Sequence, residues 1–200
     1  MVEPIYAVIE DFYNQEELKL IWRELKYITP KLAIPELSNP AHNIESGESL
    51  KKAKGRFLSD IFTKQNMSDI DTIARKISSP KLVKKLVDKN PIYRSIESCF
   101  TSTLVNYYEN SEYYKSHNDL SVFTAITYIF EEPKKFSGGN LILSDFNVEI
   151  QIKNNMLVIF PGCYMHEVQE IKMDNNDLKQ GLGRYSIVNF LVIPSPSVKK

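Results

Sequence analysis

Tyr113-Tyr114-Lys115-Ser116-His117-Asn118-Asp119 sets one of only 3 histidines two residues before an aspartate, in a run rich in aromatics. Aromatic enrichment favours a strand. In a strand, residues i and i+2 project from one face. His117 and Asp119 therefore point together, an imidazole nitrogen beside a carboxylate oxygen. The pair is two-thirds of a 2-His-1-carboxylate facial triad, the arrangement that holds non-haem Fe(II) and leaves positions open. A lone His-x-Asp also arises by chance in surface loops, so a third ligand decides its meaning.

Of the other histidines, His42 lies in a run of Pro, Asn, Ser, Gly and charge and reads as an exposed loop residue. His166 follows Phe160-Pro161-Gly162-Cys163-Tyr164-Met165. A strand, a Pro-Gly turn and a second strand can carry it back to face His117 and Asp119. Glu167 would point to the opposite face and is not a ligand. Farther on, Arg184-Tyr185-Ser186 opens a strand in which Arg184 and Ser186 share a face with Val188 and Phe190. A guanidinium on an apolar inward face is costly unless an anion meets it. Its planar fork suits a carboxylate.

Around these residues the texture is β-rich. Short runs at 101–108, 113–117, 122–130, 140–144, 148–152, 156–160, 164–169 and 184–193 are mostly separated by turn residues, among them Ser137-Gly138-Gly139 and Asn154-Asn155. Such spacing predicts a sandwich or jelly roll. The first hundred residues read mainly as helical support. Asn14 and Glu17 form a capping-box signature, and Leu18, Ile21, Trp22, Leu25 and Ile28 follow at helical spacing until Pro30. Further helices are expected at 68–79, at 81–89 and after Asn90-Pro91, with 57–62 as a strand. The fold class is thus α+β with a mainly β core, the helices packing on one outer face. The expected layout is a single domain: support over 1–100 with a lid loop at 35–56, a core at 101–194, and a tail at 195–200.

Composition limits the function classes. The 200 residues carry 25 Lys+Arg against 25 Asp+Glu, so no net field draws the chain to nucleic acid or a membrane surface. Lys51-Lys52-Ala53-Lys54 and the lysines of 81–85 read as solvated faces. Two cysteines, Cys99 and Cys163, argue against a disulfide scaffold and fit a reducing compartment. With neither a leader-like start nor an apolar run long enough to span a bilayer, the expectation is cytoplasmic.

Taken in order, His117-x-Asp119, Phe136-x-Gly138-Gly139-x-Leu141, Phe160-Pro161-Gly162, His166-Glu167-Val168 and Arg184-x-Ser186 resemble the prolyl 4-hydroxylase-like branch of the Fe(II)/2-oxoglutarate dioxygenases. The resemblance covers roughly 104–193. It implies a double-stranded β-helix, the jelly roll reached above, with iron held by His117, Asp119 and His166. It implies 2-oxoglutarate as co-substrate, its far carboxylate at Arg184 assisted by Ser186. Tyr128 is the matching tyrosine of that pocket, and Tyr108, nine residues before the first ligand histidine, is a second. Tyr107 and Tyr108 face opposite ways, so only one can enter. O2 is the oxidant and ascorbate a further cofactor the branch admits.

The chain also departs from the pattern. Glu109-Asn110-Ser111 replaces a glycine-containing turn, and a polar insert at 172–183 lengthens the path from His166 to Arg184. Asp119 argues against halogenation, where the resembling halogenases lack the carboxylate. Phe190, where the nucleic-acid demethylase branch carries a second arginine, argues against demethylation.

By resemblance the chain hydroxylates an unactivated C–H, releasing succinate and CO2, with a prolyl residue of a peptide or protein as substrate. The same chemistry on a free amino acid or another small molecule is the alternative. A reading from another class is a non-catalytic jelly-roll module that binds metal or peptide without turnover. The oligomeric state stays open.

Overall fold

The computed structural model describes residues 3–34 and 49–193. Strand β1 (Ala7–Ile9) leads into helix α1 (Gln15–Ile28). Asn14 caps α1 reciprocally: Glu17 N donates to Asn14 Oδ1 at 2.9 Å, and Asn14 N donates to Glu17 Oε2 at 2.8 Å. Two of the free N–H groups of the first turn are thereby satisfied. Strands β2 (Lys51–Lys52) and β3 (Lys54–Phe57) follow, then α2 (Asp69–Ala74), α3 (Pro80–Lys89) and a 3-10 segment, Pro91–Ser98. Ser68 caps α2 by accepting from Asp71 N at 2.9 Å.

The β-rich half holds β4 (Phe100–Tyr108), β5 (Tyr113–His117), β6 (Phe123–Ile129), β7 (Phe136–Gly138) and β8 (Leu141–Leu143). It continues with β9 (Val148–Ile150), β10 (Met156–Pro161), β11 (His166–Val168), β12 (Ile171–Met173) and β13 (Arg184–Val192). A six-stranded sheet runs β1-β10-β6-β13-β4-β3, and a five-stranded sheet runs β2-β5-β11-β8-β9. β12 and β7 form a separate pair. All the pairings are antiparallel.

Two cores flank the large sheet. On its outer face Ile21, Leu25 and Ile28 of α1, each 0% exposed, join Ile70, Val83 and Leu86 of α2 and α3. They pack against Val105, Ala125, Leu157 and Ile187 of the sheet. Burying each such aliphatic side chain stabilises by about 1.5–3 kcal/mol. The inner face meets the small sheet through Ile126, Tyr128, Val158, Phe160, Leu141, Leu143 and Val168. Every residue of β6 is buried, as a central strand covered on both faces requires. In β13 the alternation is explicit: Tyr185, Ile187 and Leu191 enter the helix-side core, whereas Val188 and Phe190 join the inner cluster.

The α+β class, the jelly-roll core and helices on one outer face agree with the sequence reading. Several boundaries do not. The strand expected at 57–62 lies earlier, as β3, and a 3-10 turn at Leu58–Asp60 follows it. Residues 51–56 of the expected lid loop are β2 and β3, paired to β5 and β4. The rest of that loop within 35–48, with His42, and the tail at 195–200 lie outside the described residues. Lys51 corrects the solvated-face reading of its run: it is 4% exposed. β7 and β12, paired with each other, stand where the sequence pattern predicts a turn and a polar insert. Gly138 ends β7 at φ +71°, with the Glu170 carbonyl where a Cβ would stand, so a side chain is excluded there. Among the described residues no helix is long and apolar enough to cross a membrane.

Candidate metal and co-substrate site

β5 ends and β11 begins at the same register position, His117 opposite His166. Asp119 lies just past β5, its N–H donating to the Gly162 carbonyl at 2.8 Å in the Pro161-Gly162 turn. Gly162 has no room for a side chain, because Ser121 occupies the space of a Cβ. The turn therefore approaches closely and ties the two ligand-bearing segments together. His117 Nε2 lies 3.7 Å from Asp119 Oδ1, and His166 Nε2 lies 3.4 Å from Asp119 Oδ2. One ligand atom from each residue falls within 4.8 Å of the others.

Hydrogen bonding orients all three groups. His117 Nδ1 is 2.8 Å from the Lys115 carbonyl, and His166 Nδ1 is 2.9 Å from the Tyr164 carbonyl. A carbonyl only accepts, so each Nδ1 carries hydrogen and each Nε2 is turned toward Asp119. Thr124 Oγ1 donates to Asp119 Oδ2 at 2.5 Å, fixing the carboxylate. Tyr114 stacks on His117 at 3.5 Å between ring centroids, and Phe160 meets His166 edge-on at 4.8 Å. Burial first, then the neighbouring His166, pushes His117 down to about 3, so its imidazole is neutral at physiological pH. Two imidazoles and one carboxylate, with converging ligand atoms and the second nitrogen of each ring held by a backbone carbonyl, suit Fe(II).

Deeper in the cavity Arg184 is 1% exposed. One of its terminal nitrogens, Nη1, donates to the Gly139 carbonyl at 2.5 Å. Its guanidinium lies 4.3 Å from the Tyr108 ring centroid and 5.1 Å from that of Tyr128. Arg184 Nε and the Tyr128 hydroxyl are buried without a hydrogen-bond partner among the described residues. Unmet buried donors of this kind call for an acceptor. A carboxylate seated between them meets both, which is the fit expected of 2-oxoglutarate. Burial lowers Arg184 and raises Tyr108 to about 12, so the tyrosine hydroxyl keeps its proton for donation. Tyr107 turns the other way, into the helix-side core, where it lies 4.4 Å from the Tyr185 ring.

The structure thus brings His117, Asp119, His166, Arg184, Ser186 and Tyr108 to the lining of one cavity of about 680 Å³, with Tyr128 beside the Arg184 guanidinium. It adds residues that the sequence reading missed: Lys51, Asn106, Thr124 and Tyr114. For Asn106 a signal existed, since it shares a strand face with Tyr108. Its Oδ1 accepts from Lys51 Nζ at 2.5 Å, and its Nδ2 donates to Ser186 Oγ at 3.4 Å. The lining also carries an apolar set, Phe57, Leu104, Ile126, Val188 and Phe190, beside the charged Arg56 and Asp60.

Residues 103–192 match the sequence profile of the 2OG-Fe(II) oxygenase superfamily. A PKHD-type hydroxylase from Prochlorococcus marinus (strain MIT 9312) is 25% identical over 167 residues, covering 74% of this chain and 73% of its own length. Among solved structures, a Pseudomonas putida prolyl-4-hydroxylase superposes with a TM-score of 0.63 at 15% identity, covering 96% of this chain and 94% of that one. A Trichoplax adhaerens prolyl hydroxylase, solved with a hypoxia-inducible-factor peptide fragment, gives a TM-score of 0.60 at 14% identity, covering 94% and 83%. Profile, relative and fold agree with the resemblance carried by the motifs: the chain resembles the prolyl 4-hydroxylase-like 2OG-Fe(II) oxygenases. That superfamily implies Fe(II), 2-oxoglutarate and O2.

Proposed function

We propose that this protein is a 2-oxoglutarate- and Fe(II)-dependent dioxygenase that hydroxylates an unactivated C–H, with a prolyl residue of a peptide or protein as substrate. The observation that carries the reading is the pairing of two oriented imidazoles and a carboxylate with a buried, part-satisfied arginine in the same cavity. His117, Asp119 and His166 hold the metal. Arg184 and the Tyr128 hydroxyl receive the far carboxylate of 2-oxoglutarate, with Tyr108 and Ser186 lining that end. Bound there, iron with 2-oxoglutarate and O2 supplies the oxidising power for hydroxylation, with succinate and CO2 as the other products.

The protein's own contribution is geometric. Thr124 holds Asp119 in one orientation. The backbone carbonyls of Lys115 and Tyr164 hold both imidazole tautomers. The apolar walls at Leu104, Ile126, Val188 and Phe190 keep bulk water from the reacting carbon. A prolyl substrate is supported by what the fold neighbours are and by the apolar part of the cavity lining, which suits a pyrrolidine ring.

Succinate release from purified protein, dependent on added Fe(II) and 2-oxoglutarate and abolished in His166→Ala, is the expected result. Mass spectrometry of a proline-containing peptide library should show a product heavier by one oxygen on proline. Succinate formation unchanged in His166→Ala would sink the triad. Oxygen added to another residue, or only to a free amino acid, would replace the prolyl assignment while keeping the chemistry.

A further inference from the structure

Lys51 is a buried cation in the cavity to which the proposed chemistry gives no task. It pairs with Tyr114 in register at the edge of the small sheet, and its side chain crosses to β4 of the large sheet. An ammonium has three N–H donors. One goes to Asn106 Oδ1 at 2.5 Å, and the charge also lies 5.5 Å from the Tyr114 ring centroid. One neutral amide and one ring face are poor compensation for an ammonium that is 4% exposed. Methionine would fill the same space without the charge.

Its location narrows what the missing partner is. Asn106 stands opposite Ser186 in the β4–β13 ladder, the next inward-facing level after Tyr108 opposite Arg184. Levels on one strand face repeat every ~6.6–7 Å. Lys51 lines the same cavity as Arg184 and the His117, Asp119 and His166 cluster, close enough for the charges of both Arg184 and Asp119 to act on it. A molecule that reaches from Arg184 to the metal ligands passes beside it. Co-substrate of that length carries a carboxylate at each end, and Arg184 answers only one. The mouth of the cavity, where a peptide would enter, is marked by more open residues such as Leu120, 97% exposed, and Ile34, 63% exposed.

We propose that Lys51 is a second co-substrate anchor, its ammonium taking the carboxylate at the 2-oxo end of 2-oxoglutarate while Arg184 takes the other. The assignment rests on the co-substrate reading under Proposed function. Asn106 is a positioning residue in this scheme: by accepting from Lys51 through Oδ1 it turns Nδ2 toward Ser186.

Calorimetric titration of Mn(II)-loaded, oxygen-free protein tests it with two ligands. 2-Oxoglutarate has both carboxylates; 2-oxopentanoate keeps the 2-oxo carboxylate and lacks the far one. Lys51→Met should weaken both by the same factor, about ten- to hundredfold, as loss of one charge-assisted hydrogen bond predicts. Lys51→Arg should recover part of the loss for both. Arg184→Gln should weaken 2-oxoglutarate and leave 2-oxopentanoate nearly unchanged. Thermal melting and Mn(II) stoichiometry establish that each variant is folded and metal-loaded, and Lys51→Gln serves if the methionine variant is not. Affinities within twofold of wild type in Lys51→Met would overturn the proposal. So would a loss confined to 2-oxoglutarate, which would put Lys51 on the same carboxylate as Arg184. Wild-type protein that binds Mn(II) but neither ligand would instead refute the co-substrate reading, and the Lys51 assignment with it.

Discussion

Replacing Lys51 by methionine should stabilise the protein against heat at neutral pH and lose that advantage in alkali. Burial, with the neighbouring Arg184 second, lowers Lys51 from 10.5 to about 7. Between those values the unfolded chain binds a proton that the folded chain does not, so stability rises with pH across that window. Below pH 7 the folded state bears the full cost. At about 1.4 kcal/mol per pH unit that cost is at most about 5 kcal/mol. The methionine variant leaves Asn106 Oδ1 without its donor, which returns about 1–2 kcal/mol. The net gain at pH 6 is then about 3 kcal/mol, or roughly 6–12 °C in melting temperature for a chain of this size. Near pH 10 the lysine costs less than about 1 kcal/mol, and the two proteins should melt together. Circular-dichroism melts of metal-free protein from pH 6 to 10 give the answer. A variant that melts below wild type at pH 6, or a difference that does not shrink as pH rises, refutes the reasoning.

Thr124→Val preserves shape and removes the hydroxyl that donates to Asp119; metal affinity should fall about 10- to 100-fold by Mn(II) titration, and an unchanged affinity would mean that Asp119 is held by the Gly162 contact alone. Gly162→Ala forces a methyl group into Ser121 and should both destabilise by about 1–3 kcal/mol in urea unfolding and weaken metal binding. Leu25→Ala, at a site 0% exposed beneath the large sheet, should cost about 2–5 kcal/mol while leaving the ligand-binding constants of the folded fraction within twofold.

The convergence of His117, Asp119 and His166 was legible because a candidate metal cluster is restricted to few residue types at a register that strand geometry enforces. His117 and Asp119 at i and i+2, and His166 after Pro161-Gly162, follow from the pleat and the turn. Arg184 and Ser186 were legible for the same reason, as polar residues on an apolar strand face. The α1 stripe and its Asn14–Glu17 cap follow from periodicity and local hydrogen bonding. Lys51 was not legible. A lysine among lysines looks solvated, and only the pairing of β2 with Tyr114 and the approach of Gly55 to Asn106 carry its side chain inward. β7 and β12 escaped because Ser137-Gly138-Gly139 carries a turn signature and Lys172 opens a polar stretch, so neither shows an apolar run. Their partners are set by long-range pairing rather than local pattern. The proposed co-substrate site left a clearer mark in the sequence than any substrate site: the apolar lining of the cavity is built from Phe57, Leu104, Ile126, Val188 and Phe190, residue types that core strands carry everywhere.

The two faces of β13 also govern which changes of chain length the protein can absorb. Odd-numbered Tyr185, Ile187 and Leu191 support the helices, and even-numbered Arg184, Ser186 and Val188 line the cavity. Deleting one residue inside this strand would exchange the two sets downstream of the lesion, setting apolar anchors in the cavity and polar ones under the helices. The segment at 174–183 is under no such parity. It is fastened at Lys179 N, 2.7 Å from Glu109 Oε1, and at Gly183 N, 3.1 Å from the Tyr107 hydroxyl. Residues added between β12 and those fastenings change the slack of a surface connection and leave the phase of β13 untouched. The long interval from His166 to Arg184 is therefore a place where sequence length can drift without the arginine ever losing its face.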